Sequence, residues 1–162
     1  MSKKPELTQA FVNELFDYSD GELRWKKNWS DKARIGKKVG CIKNGYLGLK
    51  INKFDYRVHR IIFLMHHGYM PKFIDHKDGN PLNNKIENLR ACTLSENNYN
   101  SRKPITNSSG MKGVRKKRSF WVVEFWVNGK PMYFGTYKDK ELAELVCIEA
   151  RNKYHGEFAR YE

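Results

Sequence analysis

The chain has 162 residues, with 31 Lys and Arg against 18 Asp and Glu, a formal net charge of +13. Hydrophobic residues make up 40% and aromatics 14%, enough for a packed core and too much for a disordered basic tail. The longest aliphatic or aromatic run, Ile61–Met65, falls far short of the ~20 residues of a membrane helix, and Met1–Pro5 lack the apolar stretch of a signal peptide, so membrane and secreted classes are excluded.

Cysteine usage agrees. Cys41, Cys92 and Cys147 are odd in number, widely spaced and without a CxxC pair, which argues against a disulfide framework or a structural zinc and suits a reducing cytoplasm. Apolar neighbours predict that all three are buried. Charge is clustered: ten Lys or Arg and one acid lie between Leu23 and Lys53, and seven cations and no acid between Asn97 and Val123. Two such runs favour a polyanion, nucleic acid first, because cations that neutralise phosphates release condensed counterions.

In chain order, Leu7, Ala10, Phe11, Val12, Leu15 and Phe16 predict a short helix closed by Ser19-Asp20-Gly21. Strands are expected at Glu22–Lys26, Lys38–Ile42, Tyr46–Ile51 and Tyr56–Val58, with Asn44-Gly45 as a hairpin turn. His59–His67 reads as a brief buried helix stopped by Gly68, in which His59 caps or packs. Residues 72–100 are dense in Asp and Asn. Within them Ile86–Thr93 suits a strand, and Ser95 a cap for a helix beginning at Glu96. Residues 101–110 are polar and read as a linker.

Beyond it, Met111–Lys117, Phe120–Val127 and Met132–Tyr137 predict a three-stranded antiparallel sheet, with Asn128-Gly129 as a second hairpin turn. A helix over residues 139–154 places Ala143, Val146, Cys147, Ala150 and Tyr154 on one face. Leu145 and Ile148 fall on the other and are expected to dock on the first half or on a second copy of the chain. His155 reads as structural.

The chemistry concentrates in Asp75-His76, Asn88 and Asn97. Hydrolysis of a phosphodiester needs an oxygen ligand for a hard cation, a base for water and a group that orients the base. Asp75 suits the cation, and His76 suits the base, histidine having an unperturbed pKa near ~6.5. Asn97, on a helix facing the Asp-His strand, offers a second oxygen.

The ordered string Val58-His59-Arg60, Ile74-Asp75-His76-Lys77-Asp78-Gly79-Asn80, Asn83-Asn84, Glu87-Asn88-Leu89-Arg90 and Ser95-Glu96-Asn97-Asn98 resembles the HNH endonucleases of phages and group I introns. The resemblance implies a ββα-metal site around one Mg²⁺ or Mn²⁺ per chain. His76 would be general base, Asn88 the residue that pins the loop and orients it, and Asp75 and Asn97 the metal ligands. Asn98 and Asn100 are alternatives to Asn97. The paired zinc cysteines of many relatives are absent.

Residues 110–160 are similar to the AP2 DNA-binding domain through Gly110-Met111-Lys112-Gly113-Val114-Arg115, Trp121-Val122-Val123, Val127-Asn128-Gly129-Lys130, Phe134-Gly135-Thr136-Tyr137 and Lys153–Ala159. That family lays its sheet in the major groove. The resemblance implies contacts from Arg115, Lys117, Glu124 and Trp126, where Trp126 replaces the usual Arg. Lys112, Lys130, Arg102 and Lys103 are added as basic contacts.

The expectation is therefore an α+β protein. A nuclease domain spans residues 1–100, with a β-rich part over 1–70 and the ββα-metal motif over 71–100. A linker over 101–110 leads to an AP2-like domain over 111–162. The expected activity is homing-type cleavage of double-stranded DNA to 5′-phosphate and 3′-hydroxyl ends, in the host-cell cytoplasm of a phage. A DNA-binding protein without nuclease activity is the competing class. An RNA-binding module is disfavoured, because the aromatic positions suit a core more than a stacking platform.

Overall fold

A computed structural model of the chain describes residues 4–161 as two units, Met1–Ala91 and Cys92–Glu162. The fold is mixed α+β and built from small sheets.

In the first unit, Thr8 caps helix α1 (Gln9–Leu15), its hydroxyl accepting from Phe11 N. Phe16, expected on that helix, instead begins β1 (Phe16–Ser19), which pairs antiparallel with β2 (Glu22–Trp25). Asp20 (φ 45°) and Gly21 (φ 84°) turn the chain between them. The strand expected at Lys38–Ile42 is displaced to β3 (Cys41–Lys43), because Val39 N bonds Leu23 O and its side chain is buried beside β2. β4 (Tyr46–Ile51) pairs with β3 and with β5 (Phe54–Arg57), and the Asn44-Gly45 turn lies where the sequence puts it. Cys41 is exposed on the edge strand β3 and Cys92 half-buried, so only Cys147 of the three expected buried thiols is buried.

Helix α2 (Val58–His67) starts one residue early and ends at Gly68 in the left-handed region. Val12, Leu15, Phe16, Leu23, Val39, Ile51 and Leu89 pack around its Val58, Ile61, Ile62 and Leu64 as one core. After it, β6 (Phe73–His76) pairs with β7 (Leu89–Cys92). The long strand expected at Ile86–Thr93 is split: Ile86–Asn88 is a 3₁₀ turn, and only the remainder extends.

In the second unit, α3 (Leu94–Tyr99) begins two residues ahead of the expected helix. Its cap is Thr93, in a reciprocal capping box with Glu96, and Ser95 lies within the helix. β8 (Val114–Lys117), β9 (Phe120–Val127) and β10 (Lys130–Tyr137) form an antiparallel sheet with β9 central. Val114, Val123, Phe125 and Val127 pack against Ala143, Cys147 and Ala150 of α4 (Lys140–His155). Leu145 is 60% exposed, and Ile148 half-buried. Tyr99 ties α3 to this unit, stacking on His155 at 3.7 Å between centroids and accepting from Asn128 N through its hydroxyl.

Candidate nuclease site

Neighbouring residues on a strand point to opposite sides. At the end of β6 that rule sends Asp75 and His76 to different partners, and both are buried, at 5% and 6% exposure. The Asp75 carboxylate takes Arg90 of β7 on Oδ2, from Nε at 2.9 Å and Nη2 at 2.8 Å. The His76 Nε2 lies 3.0 Å from Oδ1 of Asn84, itself 1% exposed. An amide oxygen only accepts, so this bond places a ring proton on Nε2.

His59, on α2, meets the His76 ring edge to face at 5.0 Å, and Tyr46 lies 5.5 Å from His59 and 6.2 Å from His76. Burial first, then His76, Arg60 and Arg57, pull the His59 pKa down to about 3, so it stays neutral and apolar toward its neighbour. Its packing is as the sequence suggests; that it packs on His76 is not something the sequence states. Arg57 lies over the Tyr46 ring at 4.0 Å.

The loop between β6 and β7 is built by side chains closing on nearby backbone, which is what a run of Asp and Asn does best. Asn80 N donates to Asp78 Oδ1 at 2.8 Å, Leu82 N to Asn80 Oδ1 at 3.1 Å, and Asn83 Nδ2 to Asp78 Oδ2 at 2.7 Å. Asn88 spans the loop. Its Nδ2 donates to Asp78 Oδ1 at 2.9 Å and Asn83 O at 2.8 Å, and its Oδ1 accepts from Asp78 N at 3.1 Å. Burial pushes the Asp78 carboxyl up, but the bonds from Asn80, Asn83 and Asn88 outweigh it and hold the group below the usual range.

A hairpin far back in the chain fixes where Asn84 sits. Gly21 lies so close that a Cβ there would meet Lys85 N at 2.9 Å and the Asn84 carbonyl carbon at 3.2 Å. Tyr18 Oη accepts from Ile86 N at 2.9 Å, and Lys85 pairs with Asp20 at 2.7 Å. The β1–β2 turn thus holds three successive residues of the segment that carries the His76 partner.

Of the expected site residues, Asp75, His76 and Asn88 stand on β6 and the turn before β7. Asn97 is half-buried on α3, which belongs to the second unit. Asn84 and Arg90 had no assigned role in the sequence, and His59 only a capping or packing one. All three lie inside the ordered string that carried the resemblance, and that membership was the available signal. Among the described residues, no group of three or more His, Cys, Asp or Glu could hold a metal. A cation at Asp75 would therefore complete its shell with amide, water or phosphate oxygens, a donor set that Mg²⁺ accepts.

The expected basic contacts divide. Lys117, Trp126 and Lys130 are exposed, and Arg115 bonds Glu124 across β8 and β9. Lys112 points inward instead. Its Nζ donates to the carbonyls of Asn98 (2.9 Å), Tyr99 (3.1 Å) and Ser101 (2.7 Å), closing the C-terminus of α3. Burial, Arg151 and Arg160 draw its pKa down to about 8. Lys103 Nζ donates to Gly110 O at 2.8 Å, and Arg102 is exposed beside it.

No helix among the described residues is long and apolar enough to cross a membrane. An HNH endonuclease family matches residues 56–99, from β5 through α2, β6 and β7 to α3. Protein 3.8 of Escherichia phage T7 is 39% identical over 100 residues, covering 58% of this chain and 80% of that one. A protein of Acanthamoeba polyphaga mimivirus named uncharacterized HNH endonuclease L560 is 41% identical over 122 residues, 72% of this chain and 62% of its own length. No solved structure matches significantly. The chain belongs to the family of the phage protein, and its residues 56–99 form an HNH endonuclease domain.

Proposed function

We propose that the chain is a metal-dependent, site-selective DNA endonuclease of the homing type, with His76 as general base. The observation that supports this reading is the buried bond between His76 Nε2 and Asn84 Oδ1, which fixes the imidazole at the end of the Asp-His strand. Water gives a proton to the His76 imidazole as its oxygen bonds to phosphorus in line. The bond to the 3′ oxygen breaks, and that oxygen takes a proton from solvent, giving 5′-phosphate and 3′-hydroxyl ends. Asn88 and Asp78 hold the loop that follows His76, and Arg90 orients Asp75.

One Mg²⁺ or Mn²⁺, held by Asp75 and Asn97, would stabilise the charge building on phosphate and leaving oxygen. The donor chemistry fits: a carboxylate and an amide are hard oxygen ligands, and a nuclease cation takes further oxygens from water and phosphate. The substrate is double-stranded DNA, with the cations of residues 23–53 along flanking phosphates and the second unit, AP2-like in sequence, as the anchor. One site per chain means that a double-strand break takes two copies or two events, and the exposed Leu145 offers a surface for self-association.

Incubating supercoiled plasmid with the chain and Mg²⁺ should give nicked circles that DNA ligase reseals without prior kinase or phosphatase treatment. EDTA should prevent the nicks. Nicks that form equally in EDTA, or that ligase cannot close, would overturn the proposal.

A further inference from the structure

We infer that the open face of the β8–β9–β10 sheet is a stacking platform for the unpaired bases of a nucleic-acid strand. Alternation along β9 sends Val123, Phe125 and Val127 into the core and turns Phe120, Glu124 and Trp126 outward. Trp126 is 61% exposed, Tyr133 64% and Phe120 40%. Directly opposed residues share a face, and Glu124 opposes Tyr133 while Trp126 opposes Pro131. Trp126 and Tyr133 therefore sit diagonally on neighbouring strands, within reach of one ligand. Phe120 opposes Lys117 at the far end of β9.

The surroundings name the ligand. Arg115 and Lys117 on β8 and Arg118 in its turn line this face beside the rings, so an anionic backbone has a track there. A duplex presents base edges in its grooves and hides base faces by stacking. Reading edges takes a free Arg fork, and Arg115 is already bonded to Glu124 on this same face. Tyr133 Oη is likewise engaged, at 2.7 Å from Thr136 Oγ1. Flat rings with committed polar groups match the π-faces of unpaired bases better than the edges of paired ones. This arrangement runs against the sequence expectation that the aromatic positions suit a core more than a stacking platform.

The inference takes from the proposed function only that the ligand is nucleic acid. It is tested on the full chain in EDTA, by fluorescence anisotropy with labelled oligo-dT, oligo-U and a duplex of matching length. Trp126→Ala and Tyr133→Ala should each weaken binding to the single strands about 5- to 150-fold, as loss of one stacked base does. Trp126→Phe should keep most of that binding, and in both alanine variants duplex affinity should fall clearly less than single-strand affinity. Melting curves establish that the variants are folded. Folded alanine variants that bind both single strands as tightly as the parent, or that lose duplex and single strand in parallel, overturn the platform. Plasmid nicking in Mg²⁺ by the same variants reports the first unit separately, so either reading can fail alone.

Discussion

Replacing Gly21 with Ala reaches the catalytic candidate without touching it. The residue sits at φ 84°, and its added Cβ would lie 2.9 Å from Lys85 N, a backbone atom that cannot rotate away. Holding a non-glycine residue in the left-handed region costs roughly 1–2 kcal/mol. Forcing a methyl into closed space adds roughly 1–3 kcal/mol. The sum, about 2–5 kcal/mol, is a large part of an ordinary domain's stability. Gly45 is the control, because it has a similar φ of 77° and nothing within 4 Å of the added atom. Gly45→Ala should show only the conformational cost. Urea unfolding measures both, and the difference should be about 1–3 kcal/mol. Because Lys85 adjoins Asn84, Gly21→Ala should also slow plasmid nicking more than Gly45→Ala at denaturant-free, fully folded conditions. Equal destabilisation by the two variants would refute the claim that the hairpin braces the Asn84 segment.

Asn84→Leu removes the acceptor for His76 Nε2 while filling similar space; single-turnover nicking should fall about 10²-fold or more, and Asn84→Asp, which keeps an accepting oxygen, should recover part of it. His59 has a folded pKa near 3 against 6.5 unfolded. Its contribution is therefore full above pH 6.5 and is lost as pH falls toward 3, so urea unfolding at pH 5 should show about 2 kcal/mol less stability than at pH 7 from this group, and His59→Gln should flatten that dependence. Lys117→Ala should weaken duplex binding evenly across sequences and reduce the salt slope by about 1. Lys112→Met should instead lower the melting temperature through the freed carbonyls of α3, by about 1.5–3 kcal/mol in urea unfolding, with little change in salt slope. Leu145→Asp should abolish any concentration-dependent association seen by analytical ultracentrifugation while leaving monomer stability intact.

What the sequence made legible was set by local chemistry. The turns at Asn44-Gly45 and Asn128-Gly129 could be read because both residues tolerate positive φ, and both are found there. Strand β9 could be read from its alternation, and α4 from its small residues on one face. The loop before β7 could not. Its backbone is closed by Asp and Asn side chains rather than by a periodic core, so Ile86–Asn88, apparently strand-like, coils into a 3₁₀ turn. Asn84 was hidden for the same reason: one amide among many, distinguished only by a hairpin whose closest residue lies more than sixty positions earlier. Lys112 shows the opposite failure. A lysine in a basic run reads as a solvated contact, yet three carbonyls turned toward it bring its ammonium inside.

Single-turnover cleavage of duplex DNA by the parent chain and by His76→Ala, with affinity measured alongside in EDTA, tests the nuclease assignment most directly. The account predicts that the variant binds as the parent does and cuts about 10²- to 10⁴-fold more slowly, the loss that follows removal of a general base. Cleavage at the parent rate by a folded His76→Ala chain would contradict it.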